Sequence, residues 1–471
     1  MAFTDRLANR GSVSTGYDIE TSVLIDGDNC DGQITQTAGD RKTHTISFWH
    51  KRAPRGIGTG EGESGYSSND LWGTDSEGDT LRFNGDDLAF FHEGGTGSSL
   101  QTNRKFRDYS AWYHFVVAID TTQGTAANRI KIYVNGVQET SFSTETYPDE
   151  DDEFKLMENS QDFNIGAGHI GTTSINGQGY YADFIIVDGA AKAASDFGEF
   201  DDDSGIWKPK EYTGDFNTGS GTNGAHYKFA GTAEGTGAGS TGLDSSGNSN
   251  NVNFRNQNGG VVDTPSNNFC TWNLLNLGTS GADTWGLSHG STELTYASSG
   301  WNHFFGTIPV SNGKWYWEGE YQNMAYSLMG WHDIDAIVQG SEPTTGVGGF
   351  VNYNGGEMRV DNSETTANYG TIADNSIIGV ALNMDDNQVT IYINNTATVS
   401  NYSIGNSANK TVVPFIRLHA TAAASCSTNF GAAVSYGLAS AESDANGYGN
   451  FEFAPPSGYY AICTKNLAEF G

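Results

Sequence analysis

Two runs of alternating side chains between residues 112 and 134 give the clearest structural signal in the chain. The first run, 112–119, has apolar residues on both of its faces, so both faces of this strand are expected to be covered. The second run places Ile130, Ile132 and Val134 on one face and ends at Asn135-Gly136, a dipeptide suited to the positive φ angles of a tight turn. The pattern predicts an antiparallel hairpin in one sheet of a β-sandwich.

A second region of strict alternation begins at residue 313, where Trp315, Trp317 and Tyr321 share one face. Further on, the apolar run 377–385 reaches a turn at Asp386-Asn387 and returns as 388–395, which predicts a second hairpin. Shorter strand-like runs lie at 43–51, 81–83, 88–91, 163–166, 180–187, 226–229 and 413–418. We therefore predict an all-β chain built from two tandem antiparallel β-sandwiches of the jelly-roll type.

The length of the chain, 471 residues, exceeds what one hydrophobic core usually serves. Between about residues 214 and 265 the composition shifts to Gly, Ser, Thr and Asn, with few apolar anchors. We predict an N-terminal segment at 1–22, a first sandwich at 23–232, a Gly/Ser/Asn-rich connector at 233–267 and a second sandwich at 268–471. Residues 226–229 alternate, and we expect them to add one last strand to the first sandwich.

Charge and hydropathy argue against several classes of partner. The 56 acidic and 24 basic residues give a formal net charge of −32, which repels phosphate backbones and anionic lipid heads. No segment approaches the run of about twenty apolar residues that spans a bilayer, and the first residues lack the apolar core of a secretory signal. Neither nucleic acid, nor membrane insertion, nor export by a signal peptide is therefore expected.

The four cysteines, Cys30, Cys270, Cys426 and Cys463, are widely spaced and form no CxxC pair. Zinc is therefore not expected. We interpret the cysteines as buried free thiols, with a bridge between Cys426 and Cys463 as the alternative.

The first hairpin resembles a hairpin of laminin-G-like, concanavalin A-type lectin domains. The matching residues are Trp112-Tyr113-His114 and the run Lys131-Ile132-Tyr133-Val134-Asn135-Gly136. The resemblance implies a concanavalin A-like lectin domain, and it favours binding over catalysis.

Four blocks of sequence, at 41–52, 106–123, 197–216 and 263–275, together resemble a family of tailed-bacteriophage structural proteins, especially those of phages of marine bacteria. A further segment of that family, DSSGN, matches residues 244–248. The resemblance implies a tail-fibre, minor structural or virion-associated protein.

The second half of the chain resembles a SPRY domain over roughly residues 290–465. The matching motifs are GKWYWE at 313–318, the IGVALN and IYINN runs of the second hairpin, and the later PF and NFG at 414–415 and 429–431. SPRY domains are concanavalin-like sandwiches used for binding, so this resemblance also implies a binding role.

Aromatic residues near strand ends are candidates for sugar binding, because sugar C–H faces stack on indole rings while neighbouring polar groups bind the hydroxyls. Two clusters in the second sandwich fit this chemistry. They comprise Trp301, His303 and Phe305, and Trp331, His332 and Asp333. The alternative is that Trp301 and Trp331 fill the core, which ten tryptophans in an all-β chain favour slightly.

Catalytic and metal sites find little support in the sequence. Glu318 and Glu320 share a face, as paired glycosidase carboxylates do, but the E-x-D-x-x-E pattern of laminarinase-type sites is incomplete here. The acidic runs 149–153 and 201–203 offer oxygen ligands without EF-hand spacing, and such runs are usually solvated loops. We therefore expect no enzyme activity and no cofactor, and we leave calcium open as an alternative.

These observations lead to one functional hypothesis with two alternatives. We expect a non-enzymatic phage virion protein of the tail-fibre or adhesin type, which is assembled in the host cytoplasm and binds host surface glycans or other virion proteins. The first alternative is a capsid decoration or head-fibre protein, and the second is a polysaccharide depolymerase. Assembly into a homo-oligomer is left open.

Overall fold

The computed structural model describes two compact units of the chain. The N-terminal unit comprises the described residues up to 266, and the C-terminal unit comprises those from 267 onward. The described residues are 16–26, 30–53, 68–75, 78–92, 98–170, 173–255, 260–279, 285–296, 301–322, 326–337, 348–352, 356–361, 363–368, 372–419, 424–432 and 438–471. Most of the predicted N-terminal segment, residues 1–15, lies outside them.

The N-terminal unit is made of β-strands joined by turns and short 3₁₀ segments. In chain order the strands are β1 Ser22–Ile25, β2 Asp31–Thr35, β3 Thr43–Arg52, β4 Ser68–Thr74, β5 Thr80–Asn84, β6 Asp87–His92, β7 Ser98–Lys105, β8 Trp112–Asp120, β9 Ile130–Val134, β10 Val137–Gln138, β11 Phe142–Thr146, β12 Asp162–Ile165, β13 Ala167–Ile170, β14 Thr173–Asn176, β15 Gly179–Asp188, β16 Gly198–Phe200, β17 Trp207–Pro209, β18 Ala225–Tyr227, β19 Asn253–Arg255 and β20 Gly260–Val261.

Two large antiparallel sheets enclose the core of this unit. The β3 sheet has the order β10-β9-β8-β3-β15-β1-β20, with β18 also paired to β15, and the β5 sheet has the order β11-β7-β6-β5-β4-β12-β2-β19. The inward side chains of both sheets form one cluster that includes Phe48, Trp72, Phe90, Phe115 and Tyr181. The prediction of an antiparallel sandwich is confirmed.

The predicted hairpin forms, but a different turn joins its strands. β8 and β9 pair with Phe115 opposite Val134 and Ile119 opposite Ile130, and the loop between them contains a 3₁₀ turn at Ala126–Asn128. Asn135 and Gly136, with φ angles of 48° and 80°, instead link β9 to the short edge strand β10. Asn135 still fixes the register of β8, because its side-chain carbonyl accepts a hydrogen bond of 2.7 Å from the His114 amide.

Residues 189–216 cover the outer face of the β3 sheet. The outward side chains Val116, Ile185 and Val187 pack against Phe197 and Tyr212 of this segment. Trp207, which belongs to the same segment, places its indole against the Asn135-Gly136 turn. A Cβ at Gly136 would be only 2.3 Å from Trp207 Cε3. Gly136 is therefore required both by its φ angle and by the space that the indole occupies.

Residues 233–266, which we predicted as most of the connector, lie within the N-terminal unit. The reason is that a few apolar side chains anchor the segment: Phe254 is buried, and its strand β19 pairs with β2. β20 pairs with β1, so β18 is not the last strand of the unit. Beyond β20, the Asp263 carboxylate forms a fully buried ion pair of 2.8 Å with Lys51 on β3.

The C-terminal unit is also almost entirely β-structure within the described ranges. Its strands are β21 Trp272–Thr279, β22 Trp285–Ser288, β23 Glu293–Tyr296, β24 Trp301–Gly306, β25 Lys314–Gln322, β26 Tyr326–Asp333, β27 Gly348–Asn352, β28 Glu357–Val360, β29 Ser363–Asn368, β30 Ile377–Asn383, β31 Gln388–Ile393, β32 Thr396–Ser403, β33 Val412–His419, β34 Ala424–Asn429, β35 Glu442–Ser443, β36 Asn450–Phe451 and β37 Tyr460–Ala461, and the helix α1 spans Thr464–Phe470.

Two facing sheets enclose the core of the C-terminal unit. The β33 sheet has the order β21-β24-β33-β26-β27-β28-β29, and the β25 sheet has the order β22-β23-β34-β25-β30-β31-β32. The second predicted hairpin is present as β30 and β31, which pair through Asn383 and Gln388, with Asn387 at φ 55° in the turn. The core contains four tryptophans, Trp272, Trp315, Trp317 and Trp331.

All four cysteines are buried free thiols, as predicted, and none forms the alternative Cys426–Cys463 bridge. Burial raises the pKa of the Cys30 thiol to about 11 and that of Cys463 to about 12. These thiols are therefore neutral near pH 7 and pack as small apolar side chains.

Candidate functional site

The predicted binding residues lie on two strands of the β33 sheet, with β33 between them. His303 and Phe305 are on β24, and Trp331, His332 and Asp333 end β26. The side chain of Trp301 lies outside the described residues.

Trp331 faces the core of the C-terminal unit and is 1% exposed. It lies opposite Gly349 on β27, where a Cβ would be only 2.3 Å from the indole. The indole therefore fills a place that the glycine keeps open. This is the alternative that the sequence favoured, and it removes Trp331 as a solvent-facing sugar platform.

His303, Phe305 and His332 lie together on the opposite face of the β33 sheet. The ring of Phe305 is 5.8 Å from that of His303 and 5.5 Å from that of His332, and Phe415 completes the group. All of these side chains are buried, with Phe305 3% exposed. The cluster is brought together as predicted, but its rings pack on each other and present no open face for a sugar.

Asp333 acts as a structural cap. Its Oδ1 accepts a hydrogen bond of 3.0 Å from the Asp335 amide at the start of a 3₁₀ turn, and its Oδ2 accepts one of 2.6 Å from Lys410 Nζ. The carboxylate is almost fully buried. Both of its oxygens thus serve the fold rather than a ligand.

Glu318, the carboxylate considered for glycosidase chemistry, is also structural. Its side chain points away from the core, yet it is completely buried. Its Oε1 accepts from the Tyr316 hydroxyl at 2.9 Å and from the Phe453 amide at 3.0 Å, and its Oε2 accepts from the Glu452 amide at 2.9 Å. A carboxylate engaged in this way has no access to a glycosidic bond.

The two acidic loops direct their carboxylates to separate partners. Asp201 accepts hydrogen bonds from the Ser204 amide and hydroxyl and from Lys208, which hold its pKa at about 2. In the other loop Asp151 pairs with Lys42 and Glu153 with Arg41. In the described part of the chain, no group of three or more His, Cys, Asp or Glu side chains could hold a metal ion.

The outer face of the β5 sheet differs from these buried clusters because it is polar and partly open to solvent. Leu81, Phe83, Leu88, Phe90 and Leu100 face the core, so the alternate residues of β5, β6 and β7 face outward. The outward residues are Arg82 and Asn84 on β5, Asp87 and Phe91 on β6, and Ser99 and Gln101 on β7. Beyond them, Thr144 and Thr146 of β11 are exposed.

A ladder of hydrogen bonds runs across this outer face. Asn84 Nδ2 donates to Gln101 Oε1 at 3.3 Å, and Gln101 Nε2 donates to Asp87 Oδ2 at 2.9 Å. Lys105 donates to the other oxygen of Asp87. Burial pushes the pKa of Asp87 upward, but the hydrogen bonds from Lys105 and Gln101 outweigh that effect and hold the pKa below its usual range. Asp87 is 8% exposed and both of its oxygens are engaged, so it positions Gln101 rather than meeting a ligand. The face offers the amides of Asn84 and Gln101 and the ring of Phe91, which are groups that bind sugar hydroxyls and sugar C–H faces.

Sequence reasoning missed this face because it searched aromatic residues in loops. The signal was present in the alternation of LRFN at 81–84 and DLAFF at 87–91, which assigns Arg82 and Phe91 to the side opposite the core. Exposure was the missing quantity. Alternation alone does not show which outer face the rest of the chain covers.

Comparisons with known proteins agree with the laminin-G-like and SPRY resemblances at the level of domains. Residues 26–194 match the concanavalin A-like lectin/glucanases superfamily, and residues 314–433 match the SPRY domain family. Each match covers well under half of the chain. A search among curated proteins gave no match.

Three solved structures illustrate the similarity. The SPRY domain of human HERC1 is 12% identical over 33% of this chain and 96% of its own, with a TM-score of 0.28. A heptameric SAP-like pentraxin from Limulus polyphemus is 14% identical over 38% of this chain and 80% of its own, with a TM-score of 0.28. Domains LG4-5 of the mouse laminin alpha1 chain are 10% identical over 86% of this chain and 82% of their own, with a TM-score of 0.29. At such TM-scores these similarities carry no functional argument.

Proposed function

We propose that this protein is a non-enzymatic phage virion protein of the tail-fibre or adhesin type, which binds host surface glycans. The two domain types it resembles are binding modules, and the four sequence blocks shared with tailed-phage structural proteins support the virion assignment. The protein would be assembled in the host cytoplasm and would work as part of the particle. Its other contacts would be with virion proteins, including copies of itself.

The observation that carries the binding proposal is the outer face of the β5 sheet. It combines the amides of Asn84 and Gln101, the second held in place by the buried Asp87, with the half-buried ring of Phe91 on regular strands. Side chains on paired strands are held rigidly, so a ligand loses little of its binding free energy to ordering the protein. The aromatic clusters of the C-terminal unit lack this accessibility.

A direct test combines particle localisation with ligand binding. Antibodies against the purified protein should label the tail of intact particles in electron micrographs, and the protein should bind host cells and host surface polysaccharide. Changing Gln101 to Ala should weaken that binding, whereas changing Gln123, which lies in the loop after β8, should not. Label on the capsid surface together with absent glycan binding would favour the decoration-protein alternative, and release of reducing ends from the polysaccharide would contradict the non-enzymatic assignment.

A further inference from the structure

Arg82 is the outward residue at the middle of β5, and none of the described residues forms a hydrogen bond with its side chain. Its guanidinium carbon lies 4.3 Å from the centre of the Phe91 ring. Within the described part of the chain it makes no hydrogen bond or ion pair, and its Nε is buried without an acceptor. A buried N–H without an acceptor costs about 1–3 kcal/mol, so such a group usually finds a partner.

The lack of a hydrogen-bonded partner is unusual among the arginines that the structure describes. Those with carboxylate or backbone carbonyl partners are Arg41, Arg52, Arg104, Arg107, Arg129, Arg255 and Arg359. With 56 acidic residues in the sequence, carboxylates are abundant. Arg82 is thus placed where none of the described carboxylates bonds to it.

The carboxylate opposite Arg82 in the sheet does not neutralise it by a hydrogen bond. Asp70 on β4 lies directly across from Arg82 in the register, but it is fully buried and neither of its oxygens has a hydrogen-bond partner. Burial raises the pKa of Asp70 to about 7, against the opposing effect of Arg82. Asp70 is therefore largely protonated below about pH 7, and in that range it does not offset the charge of Arg82.

The geometry favours an oxyanion as the missing partner. A guanidinium group presents N–H donors in a planar fork that matches a carboxylate or a sulfate with two parallel hydrogen bonds. Stacking on Phe91 fixes the plane of the fork, which lowers the entropy lost on binding. In the same row of the sheet, Arg82, Ala89, Gln101 and Thr144 are aligned across four neighbouring strands. An anionic group at Arg82 therefore has hydroxyl-binding side chains two strands away, at about 10 Å.

We propose that Arg82 and Phe91 form the anion subsite of a glycan-binding face, and that the glycan is acidic, with a carboxylate or sulfate group bound by the Arg82 fork. The proposal deepens the proposed function and rests on it for the glycan nature of the ligand. An acidic polysaccharide is repelled at long range by a chain of net charge −32, so the subsite supplies the local attraction that makes the binding selective. Neutral glycans gain nothing from Arg82.

The test uses the full chain on an array of uronate-containing oligosaccharides, sulfated oligosaccharides and their neutral counterparts, together with purified host polysaccharide. Arg82→Gln removes both the positive charge and the planar fork of N–H donors, whereas Arg82→Lys keeps the charge and loses the fork. Lys131→Gln on the β3 sheet is the control that changes the net charge of the protein by the same amount as Arg82→Gln. We expect at least one acidic glycan to bind better than its neutral form. Arg82→Gln should weaken the binding of that acidic glycan about ten- to a hundredfold, which is the loss typical of a hydrogen-bonded charged group. Arg82→Lys should recover only part of the affinity, and the control should bind normally. Whether uronates or sulfated sugars respond identifies the source of the anion.

Three outcomes would overturn the proposal. One is that acidic glycans bind no better than neutral ones, and another is that Arg82→Gln binds like the unaltered protein. The third is that neither Arg82 variant retains the unaltered melting temperature, which would assign Arg82 to the stability of the sheet. Binding of neutral glycans that is insensitive to Arg82 would leave the proposed function intact while removing this subsite, whereas binding to no glycan and to no host cell would remove both.

Discussion

Asp70 makes a pH-dependent contribution to stability that a single substitution should reveal. The carboxyl is fully buried, and a Cβ at Gly168 of the β13–β14 hairpin would be 2.4 Å from its Oδ2, so backbone closely covers it. Burial raises its pKa to about 7 in the folded protein, compared with about 3.9 for an unperturbed aspartate. Two titratable groups lie on the elements around it. Arg82 on β5 opposes the rise in the pKa of Asp70, and the Tyr181 hydroxyl on β15 is neutral at these pH values.

The direction in which stability changes with pH follows from the number of protons that each state binds. Between about pH 4 and pH 7 the folded state keeps the proton that the unfolded state has lost, so the free energy of unfolding falls as the pH rises, and it levels off above pH 7. A shift of three pKa units corresponds to about 4 kcal/mol when fully expressed, of which about 1.5 kcal/mol is already present at pH 5. Asp70→Asn keeps the shape and removes the ionisation. Its stability advantage over the unaltered protein should therefore grow by about 2–3 kcal/mol between pH 5 and pH 8, or roughly 5–10 °C in melting temperature for a unit of this size.

Differential scanning calorimetry of both proteins at half-unit steps from pH 5 to pH 8 measures this difference directly. Asp202→Asn, an exposed site on the β16–β17 turn, is the matched control and should follow the unaltered protein at every pH. A constant difference between Asp70→Asn and the unaltered protein across the range would refute the argument, since it would mean that Asp70 does not titrate there. If Asp70→Asn is less stable than the unaltered protein at both pH 5 and pH 8, the carboxyl makes contacts that an amide cannot replace.

Further predictions concern packing and buried charge. Gly136→Ala should destabilise the N-terminal unit clearly more than Gly85→Ala, because both glycines have a positive φ but only Gly136 lies against an indole. The φ effect alone costs about 1 kcal/mol. Equal losses of unfolding free energy for the two variants in urea would contradict the steric argument. Lys51→Met should cost about 3–5 kcal/mol by leaving Asp263 charged and buried, and adding Asp263→Leu should restore much of that loss in a double-mutant cycle. Trp331→Ala should lower the stability of the C-terminal unit by about 3–5 kcal/mol through the cavity it leaves, and an unchanged melting curve would place the indole at the surface. Circular dichroism of the full chain should show far less helix than the roughly one third of an average globular protein.

Local patterns predicted the strands well because side-chain alternation and turn residues act over a few positions. The second hairpin, its Asp386-Asn387 turn and the inward face of β9 followed from alternation alone. Alternation did not predict which two strands the Asn135-Gly136 turn joins. The reason is that β9 has two antiparallel neighbours, β8 and β10, and the dipeptide is compatible with a turn to either. Phe254 shows the limit most clearly: a single buried ring holds a glycine-rich segment to the sandwich, and composition averaged over that segment conceals it.

The candidate site was harder to predict because exposure depends on distant parts of the chain. Trp331 and Phe91 both occupy regular strands, and only the packing of other elements makes the first a core residue and the second an outward one. Burial also decides the chemistry of Glu318, whose oxygens bind residues more than a hundred positions away. No local pattern contains that information.

The two outer faces of the N-terminal sandwich differ in the side chains that they carry, and this contrast supports the proposed binding face. The β3 sheet carries Val116, Ile185 and Val187 outward, and apolar side chains in such a row must be covered, which residues 189–216 do. Residues 197–216 of this segment are thus explained as a structural cover. The β5 sheet carries polar side chains and Arg82 outward, and Arg82, Asn84 and Phe91 remain partly exposed there. Substitutions there can change the ligand without disturbing the core, so we expect ligand specificity to reside in β5, β6 and β7 and stability to reside in the covered face.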